Sequence, residues 1–441
     1  VFHKNDLGVI SEATKDSAQV AVTTYLTADP NLRNLRGITN RYDPKRTGAT
    51  SVGSSSMILA PAISRDQVRR IGFQSIQNSS STFAAGYRAA PLRTGYEQVI
   101  ANRSDALFAS TAKGNGKVVG LTDRVLTVAY EDGTTQGVEL GRRYGTVAAM
   151  TLPHQLETAL QVGDKVSEGD VLAYNSRYFD PDPLNPKQAI MKFGCLFSVA
   201  LLESADTLED SCAISERAAK LLETETTEPR NIVVSFKDTI HGLVQVGSTV
   251  EVEDILCTIE DPVTAQSNLF DEDSLDTLRL LSANNPRAKV TGVVERIEVF
   301  YNGDIDDLSP SLQELAQESD RNRKRLARDL KRPFHSGRVD GSLNIEGNRL
   351  QPEYAVIRVY ITSKRAWGAG DKGVFGNQLK TVCGRVMSGV NETLSGEPID
   401  AIFGYLSVSD RIVRSPEIMG TTNKLMELIT KRAIEAYRKG T

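Results

Sequence analysis

The segment Trp367–Lys380 reads WGAGDKGVFGNQLK and contains four glycines around one acid, an Asn-Gln pair and two lysines. Glycine lets a backbone approach another molecule closely and adopt positive φ, and a lysine on such a loop is a point charge for phosphate. Because glycine-rich loops with a lysine are common, the segment alone fits an ordinary turn equally well. Its meaning depends on the motifs around it.

The composition is that of a soluble globular protein with two or three domains. The chain has 441 residues, of which 40% are hydrophobic and 24% are charged, enough for more than one core. No run approaches the roughly 20 apolar residues that a membrane helix requires, so we expect no membrane partner. The net charge of -4 argues against a simple nucleic-acid coat but allows nucleic acid in a local cleft.

The cysteines and histidines form no recognisable site. Cys195, Cys212, Cys257 and Cys383 occur singly without CxxC spacing, which predicts neither a zinc site nor a disulfide framework and favours a reducing compartment. The histidines have no metal spacing and no nucleophile motif beside them. The start, VFHKND, has neither the pattern of a secretion signal nor an initiating Met, so we expect the chain to begin within a longer product.

Local patterns predict several elements in the first part of the chain. Alternation in Gln19–Leu26 predicts a strand, and residues 46–56 (RTGATSVGSSS) predict a mobile loop. Ser64 and Gln67 have the spacing of a capping box and predict the start of a helix. From Lys117 onward the hydrophobic period changes to two, so we expect the middle of the chain to be mostly β.

Two later helices have clear boundary signals. Residues 309–332 are predicted to form a helix that is capped by Ser309, begins at Pro310 and is stopped by Pro333. Its acids lie early and its bases late, which matches the helix dipole. This pattern favours a solvated helix over a nucleic-acid contact. Ser415 and the proline after it predict a second helix toward the C-terminus.

An internal echo links two stretches of the middle region. Val162–Leu172 (VGDKVSEGDVL) and Val246–Leu256 (VGSTVEVEDIL) share valine, glycine, aspartate and a final leucine at the same offsets. The echo predicts two related strand-turn-strand pieces of barrel-like sheets. It also resembles the hinge of biotin or lipoyl carrier domains, although Lys192, the first lysine in a Met-Lys pair, lies farther away than a carrier lysine would.

The acidic clusters give no independent sign of a metal centre. Paired carboxylates can hold magnesium, but the clusters at 180–182 and 304–307 fit turns. The stretch LEDSCAISER, Leu208–Arg217, has an adjacent Glu-Asp pair followed by a hydroxyl, which by itself fits the first turn of a helix. None of these stretches has the glycine-framed aspartate triad of a nucleotidyl transferase.

Taken in order, five motifs resemble the β subunit of multisubunit DNA-dependent RNA polymerases. LEDSCAISER is similar to the family pattern Phe-Glu-Asp-Ser-Ile-Leu-x-Ser-Glu-Arg. RVYITSKRAWGAGDKGVFGNQLK is similar to the segment that contains Gly-Asp-Lys and then Gly-Asn-Lys. The matching stretches are Tyr87–Glu97, Leu208–Arg217, Lys289–Phe300, Arg358–Lys380 and Ser395–Val413.

The resemblance implies roles for particular side chains. Lys372 would be the active-site lysine near the RNA 3′ end and the incoming nucleotide. Glu209 and Asp210 would lie near the nucleotide phosphates and help to position a second magnesium ion, without being direct metal ligands. Arg88 and Arg411 would contact the triphosphate, a role suited to a guanidinium that stays charged. The catalytic magnesium would be held mainly by a β′-like partner.

The chain also departs from the family pattern. Gln378 stands where the family has its second lysine, in a loop two residues shorter, and Lys380 is the alternative contact to RNA or nucleotide. Ser409 replaces a proline ahead of Arg411. Motifs this divergent, on a chain that matches only the C-terminal part of a β subunit, resemble the split polymerases of giant (jumbo) bacteriophages. We therefore expect the protein in the host bacterial cytoplasm, in the virion or in a phage nucleus-like compartment.

The resemblance implies an architecture as well. We expect a mixed α/β, β-rich fold with a double-psi β-barrel, a flap-like barrel-sandwich insertion and peripheral helices. The expected segments are an N-terminal fork or hybrid-contacting segment (1–56), the first part of the barrel (57–230), the flap-like insertion (231–335), the second part of the barrel with the Gly-Asp-Lys loop (336–410) and a C-terminal helical segment (411–441).

Such a subunit would act within an assembly. Its expected function is to position the nucleotide, the RNA 3′ end and the RNA-DNA hybrid for templated RNA synthesis. Its expected partners are an N-terminal β-like chain, β′-like chains, template DNA, nascent RNA and nucleoside triphosphates, with a promoter-specificity subunit at the flap. The first alternative is a non-catalytic β-like scaffold, which the Gln378 departure favours. The second is a barrel-sandwich carrier domain.

Overall fold

The protein is a β-rich chain of mixed α/β class that forms two compact units. The computed structural model describes residues 7–260 and 285–440, apart from 16–17, 21, 35, 41–42 and 148–149. Unit 1 comprises Val1–Ser104, Ser176–Thr224 and Ala366–Thr441, and unit 2 comprises Asp105–Asn175 and Glu225–Arg365. The expected segments are thus grouped differently, because residues 105–175 cluster with 225–365 rather than with the rest of 57–230.

Strands outnumber helices in the described residues. The helices are α1 (Ala49–Val52), α2 (Ser55–Ile58), α3 (Val68–Ser79), α4 (Glu216–Leu221), α5 (Pro310–Asp329), α6 (Tyr405–Ser409) and α7 (Ser415–Lys439). Short 3-10 helices occupy Pro44–Arg46, Ile63–Arg65, Tyr96–Gln98, Ile100–Arg103, Ala205–Asp210 and Ile305–Asp307. The strands are β1 (Ile10–Thr14), β2 (Thr24–Leu26), β3 (Ala109–Thr111), β4 (Gly116–Leu121), β5 (Val125–Tyr130), β6 (Thr135–Glu139), β7 (Gly141–Val147), β8 (Met150–Glu157), β9 (Lys165–Val166), β10 (Val171–Asn175), β11 (Phe179–Pro181), β12 (Ala189–Met191), β13 (Val199–Leu201), β14 (Ser211–Ser215), β15 (Thr224–Ser235), β16 (Thr239–His241), β17 (Thr249–Val250), β18 (Thr258–Glu260), β19 (Gly292–Asn302), β20 (Asn344–Ile345), β21 (Asn348–Arg349), β22 (Tyr354–Arg365), β23 (Lys372–Phe375), β24 (Leu379–Met387) and β25 (Ala401–Phe403).

A five-stranded mixed sheet organises unit 1, in the order β13-β25-β14-β24-β23. The central strand β14 is parallel to β24 and antiparallel to β25. Ile214, Leu379 and Phe403 belong to one buried cluster in this unit, and such burial is the main favourable term in its folding. The sheet therefore brings LEDSCAISER directly beside the strand that follows the Gly-Asp-Lys loop.

The N-terminal part of unit 1 differs from two predictions. The predicted strand Gln19–Leu26 is reduced to β2, because the Gln19 carbonyl closes a turn with the Thr23 N–H at 3.0 Å. The predicted mobile loop at 46–56 is wrong, since α1 and the start of α2 lie there. The contacts of Ser54 explain why this segment is ordered. Its N–H donates to Glu12 at 2.9 Å, and its side chain caps α2.

The helix predicted to begin near Ser64 is confirmed as α3, but the predicted capping box is wrong. The helix begins at Val68, and Ser64 lies in the 3-10 turn before it. Gln67 occupies the cap position without a side-chain cap, and its N–H donates to the Ile412 carbonyl at 3.0 Å. A distant segment of unit 1, rather than a local motif, thus fixes the start of α3.

Unit 2 contains two main sheets. The larger has the order β17-β19-β22-β15-β8-β10-β3, with β7 paired to β8, and the smaller has the order β6-β5-β4-β9. The long antiparallel pair of β19 and β22 contributes Val299 and Ile357 to one core, and β5 contributes Leu126 and Val128 to the other; all four are fully buried. Each sheet therefore has a core of its own.

The sequence echo is also a structural repeat. Gly163 and Gly247 have φ of +104° and +94°, and each donates its N–H to a strand carbonyl, at 2.9 and 2.7 Å. Six residues later, Gly169 and Glu253 both have positive φ, +85° and +73°, and each donates to a carbonyl at 2.9 Å. The two related turns are thus confirmed, but only the first is followed by a strand, β10, since the second leads to a single bridge between Ile255 and Arg287.

The predicted charged helix of unit 2 is confirmed as α5. Leu312 and Ala316 on its inner face are fully buried. Ser309 precedes the helix, but its hydroxyl donates to the Asp238 carbonyl at 2.6 Å instead of capping the helix. The helix ends at Asp329, earlier than predicted, and Lys331 has a positive φ of 52°.

The predicted C-terminal helix is confirmed as α7, whose Gly440 C-cap has the left-handed backbone typical of helix ends. None of the helices in the described residues is long and apolar enough to cross a membrane. The strand pairings of these residues do not close a barrel, so the double-psi arrangement stays a prediction.

Candidate functional site

The strand register of the unit 1 sheet relates Lys372, on the edge strand β23, to the Glu209-Asp210 pair, which directly precedes the central strand β14. Lys372 on β23 is opposite Val382 on β24, and Val382 is paired with Ser211 on β14. Because neighbouring strands lie about 4.8 Å apart, the backbones of Lys372 and Ser211 are about 10 Å apart. Directly paired residues share a face of the sheet, so these side chains lie on the same side.

The two acids occupy a corner with unusual backbone geometry. Glu209 and Asp210 have φ of +50° and +65°, a left-handed conformation that is uncommon outside glycine. Such residues store strain of about 1–3 kcal/mol each and persist where the surroundings hold them. Here the Asp210 carbonyl accepts the Thr381 hydroxyl at 2.6 Å, which ties the corner to β24.

Arg411 holds Asp210 through a two-pronged ion pair. Its Nη1 and Nη2 each donate to one carboxylate oxygen, the first at 2.7 Å, and Nη1 also donates to the Ser407 carbonyl at 2.6 Å. The hydrogen bonds from Arg411 hold the pKa of Asp210 below its ordinary value, and Asp210 raises the pKa of Arg411. Arg411 thus fixes the carboxylate, while its triphosphate contact stays a prediction.

Arg70, in the first turn of α3, is a member of this cluster that the motif analysis missed. Partial burial lowers the pKa of Arg70, the nearby Arg411 lowers it further, and Asp210 raises it. The guanidinium therefore lies within electrostatic reach of both. No sequence pattern distinguishes this arginine from other surface residues of an amphipathic helix.

Lys380 lies on the same face as Lys372. In the β23–β24 hairpin, Lys372 is opposite Val382 and Val374 is opposite Lys380, so the two lysines are diagonal neighbours. Both lysines are exposed, whereas Leu379 and Thr381 alternate toward the core. Diagonal neighbours on a sheet are within reach of long side chains, so the lysines form a compact cationic patch.

Gln378 points away from this patch and is fully buried. Its amide nitrogen donates to Asp66 and, at 2.9 Å, to the Ser415 hydroxyl. Asp66 also accepts the N–H groups of Arg414 and Ser415 at 2.7 and 2.9 Å. Gln378 thus joins the hairpin turn to the start of α7, which leaves it inaccessible to a nucleotide in this conformation.

The glycines of the loop have local structural reasons. Gly376 has a φ of +53°, and a Cβ there would lie 2.4 Å from the Pro416 side chain, so only glycine lets the turn reach α7. A Cβ on Gly373 would lie 3.1 Å from the Trp367 ring. The Asp371 carboxylate accepts the Gly368 N–H at 2.9 Å and closes the preceding turn.

Arg88 lies in another part of unit 1. Its N–H donates to the Gly194 carbonyl at 3.0 Å, and the nearby Gly86 N–H donates to Leu221 at the end of α4. The side chain of Arg88 is exposed. Within the described residues no contact joins Arg88 to the Asp210 cluster, so its triphosphate contact also stays a prediction.

The described carboxylates form no complete metal site. Among the residues that the structure describes, no group of three or more His, Cys, Asp or Glu side chains could hold a metal ion. Magnesium prefers six oxygen ligands in octahedral geometry, and the Asp210 carboxylate is engaged by Arg411. The Glu209 side chain is exposed and has no hydrogen bond or ion pair with the rest of the described chain, so its carboxylate is accessible to solvent, and its contact to magnesium stays a prediction.

No protein-family model matches the chain, and no curated protein is significantly similar to it. The resemblance to RNA polymerase β subunits therefore rests on its five motifs.

We expect the Asp210–Arg411 pair to make stability depend on pH in the acid range. Since the pKa of Asp210 is lowered in the folded state, its contribution is complete above the ordinary value of 3.8 and is lost as pH falls through the lowered value. The difference in unfolding free energy between wild type and Asp210→Asn should therefore shrink below about pH 4. Urea unfolding from pH 7 to pH 3 measures it, and a difference that stayed constant would contradict the assignment. Asp29→Asn, at an exposed site, is the control.

Proposed function

We propose that this chain is the C-terminal, β-like part of a split DNA-dependent RNA polymerase. Substitution of Lys372 tests this proposal most directly. The observation that carries the proposal is the strand row Lys372, Val382 and Ser211. It sets the lysine of the Gly-Asp-Lys motif beside the Glu-Asp motif, although the two are far apart in sequence. Both motifs were assigned to nucleotide handling by the resemblance, and the face that Lys372 shares with Ser211, the residue after Asp210, supports a common task.

In this proposal the chain supplies positive charge and holds the nucleotide and the RNA in position. Lys372 and Lys380 neutralise negative charge on the nucleotide phosphates and the RNA backbone, a role for preorganised cations in phosphoryl-type transfer. Arg411 keeps the Asp210 carboxylate in a fixed orientation. Glu209 remains open to solvent and is free to orient groups on the nucleotide side.

Magnesium, when held by a β′-like partner, supplies Lewis-acid stabilisation of the transferring phosphoryl oxygens. Glu209 is the residue of this chain that would support it. The ion pair with Arg411 fixes the Asp210 carboxylate before a ligand binds, which is the form of preorganisation that such a site requires.

The C-terminal helix α7 supports the expectation of partner chains. Its Leu425, Ile429 and Tyr437 side chains are 56%, 56% and 87% exposed, whereas its charged side contacts Glu397 through Lys424. From residue 424 to 439 the helix has five bases and two acids. We propose that a partner polymerase chain with an apolar surface and an acidic rim covers this face, since like charges disfavour pairing with a second copy.

The double-psi barrel is part of the same proposal. Its support is the crossing pattern of the unit 1 sheet, in which β13 with β25 and β14 with β24 are parallel pairs among antiparallel neighbours. The flap-like role of residues 231–335 is proposed on the resemblance, with the repeated turn as its structural support.

The structure bears on both alternative functions, the carrier domain and the non-catalytic scaffold. A carrier domain needs an accessible lysine, but Lys192 is buried and lies 3.3 Å from the Asp180 carboxylate. A non-catalytic scaffold was favoured by the loss of the second lysine at Gln378. That argument weakens, because Lys380 shares the face of Lys372.

The direct test is to tag the chain in its native context, purify it gently, and assay templated RNA synthesis while partner chains are identified by mass spectrometry. Synthesis with a partner that bears the aspartate triad is the expected result. A stable chain without such a partner and without synthesis would instead support the scaffold.

A further inference from the structure

The outer face of α5 carries a row of cations. Arg321, Arg325 and Arg328 follow one another at spacings of four and three residues, so they share one face of the helix, and all are exposed. At 1.5 Å per residue, successive arginines lie about 4.5–6 Å apart along the helix axis. Lys331 and Arg332 are also exposed and extend the row past the end of the helix.

The arginines of the row make few contacts with the rest of the fold, whereas Lys331 donates to the Thr135 hydroxyl at 3.3 Å. Within the described chain, Arg321 and Arg325 have no hydrogen bond or ion pair, and Arg328 contacts only its neighbour Asp329, with 75% of the arginine side chain exposed. Arg323, on the inner side, differs: it binds Asp320 at 2.9 Å and lies over the Phe300 ring at 4.5 Å. The helix thus separates one arginine that holds the fold together from a row of exposed arginines, of which Arg328 alone has an ion pair, with its neighbour Asp329.

The row is presented by a firmly anchored helix. Asp320 accepts the Tyr301 hydroxyl at 2.9 Å and the Gly337 N–H at 2.7 Å, which ties the middle of α5 to the strand below and to the segment that follows. Because the backbone positions are fixed, little chain entropy is lost when a ligand spans several of the cations. Glu314 and Glu318 are the acids of the outer face and lie toward its N-terminal end.

An exposed aromatic ring follows the cations. Phe334 is 44% exposed, two residues beyond Arg332. Proteins that bind single strands combine cations that follow the backbone with aromatic rings on which bases stack. The chain as a whole has a net charge of -4, so this local excess of positive charge does not reflect overall basicity.

We propose that the outer face of α5 and residues 331–334 bind a single-stranded nucleic acid. Guanidinium forks on Arg321, Arg325 and Arg328 contact its phosphates, and Phe334 stacks on a base. An acidic protein surface would use the same charges but would not need the ring. The inference goes beyond the proposed function, because α5 and residues 331–334 lie outside the five stretches on which the resemblance rests and the binding requires no catalysis.

The test is fluorescence anisotropy of the full chain with labelled 15-nucleotide oligouridylate and oligothymidylate across a range of salt concentrations. We expect the variant Arg321→Gln/Arg325→Gln/Arg328→Gln to bind at least about 10-fold more weakly, with a salt slope lower by about 2, since each single-strand phosphate contact contributes about 0.7. Glutamine is a good helix former, so α5 should persist. The matched control, Lys165→Gln/Lys237→Gln/Arg349→Gln, removes three exposed charges of unit 2 elsewhere.

Phe334→Ala should weaken binding about 5-fold or more without changing the salt slope. Cross-links from 4-thiouridine RNA should map to peptides that include residues 321–338. Equal affinities for the arginine and control variants, cross-links confined to unit 1, or competition by polyglutamate as strong as by unlabelled oligonucleotide would each overturn the proposal. A failure of the polymerase assignment would appear in RNA synthesis and would leave these measurements unchanged.

Discussion

Lys372→Ala should reduce the rate of nucleotide addition by about 100-fold to 1000-fold, the usual cost of removing one preorganised charge contact to a transition state. The Lys372 side chain is exposed on the hairpin and has no hydrogen bond or ion pair in the described chain, so its removal should not alter folding. The contact is made mainly as charge develops on the reacting phosphoryl group. We therefore expect kcat and kcat/KM to fall together.

Single-nucleotide extension of a primed RNA-DNA hybrid by the assembled complex measures this effect. Lys220→Ala, which removes an exposed lysine from α4 of the same unit, is the matched control and should retain full activity. Lys380→Ala should lie between the two, since its side chain is the diagonal neighbour of Lys372. Full activity of Lys372→Ala in an assembled complex would show that the assignment of Lys372 as the central residue of the site is wrong.

Local signals were sufficient where a few neighbouring residues determine an element. The prolines at the starts of α5 and α7 have the fixed φ that a first turn requires, and both helices were predicted. The echo predicted a repeat because its turns are set by residues within each stretch. The loop at 46–56 was predicted wrongly because Ser54 depends on Glu12, 42 residues away.

Only the site residues that lie within recognisable sequence motifs could be predicted. Lys372, Glu209 and Asp210 came from linear patterns, and the strand register relates them to one another. Arg70 was missed because its relation to Asp210 exists only in the fold. Gln378 was read as a replaced site residue, although its burial is decided by Asp66, 312 residues away. No periodicity in sequence encodes a contact of that separation.

Asp66→Ala should lower the free energy of unfolding of unit 1 by about 3 kcal/mol, because two buried groups that donate to Asp66 each lose an acceptor, at roughly 1–3 kcal/mol each. These groups are the Gln378 amide and the Ser415 hydroxyl, on residues that are 0% and 2% exposed. The backbone N–H groups of Arg414 and Ser415 lose their acceptor as well. The midpoint of thermal unfolding should fall by about 6–12 °C for a unit of this size.

Trp367 makes this measurable, because it is the only tryptophan of the chain and packs against the unit 1 core. Its fluorescence follows unit 1 during urea or thermal unfolding, whatever unit 2 does. Asp66→Asn retains one acceptor oxygen and should lose about half as much stability, while Asp29→Ala, at an exposed site of the same unit, should lose little. If Asp66→Ala and Asp29→Ala unfolded alike, the network would not hold the hairpin to α7, and the burial of Gln378 would need another cause.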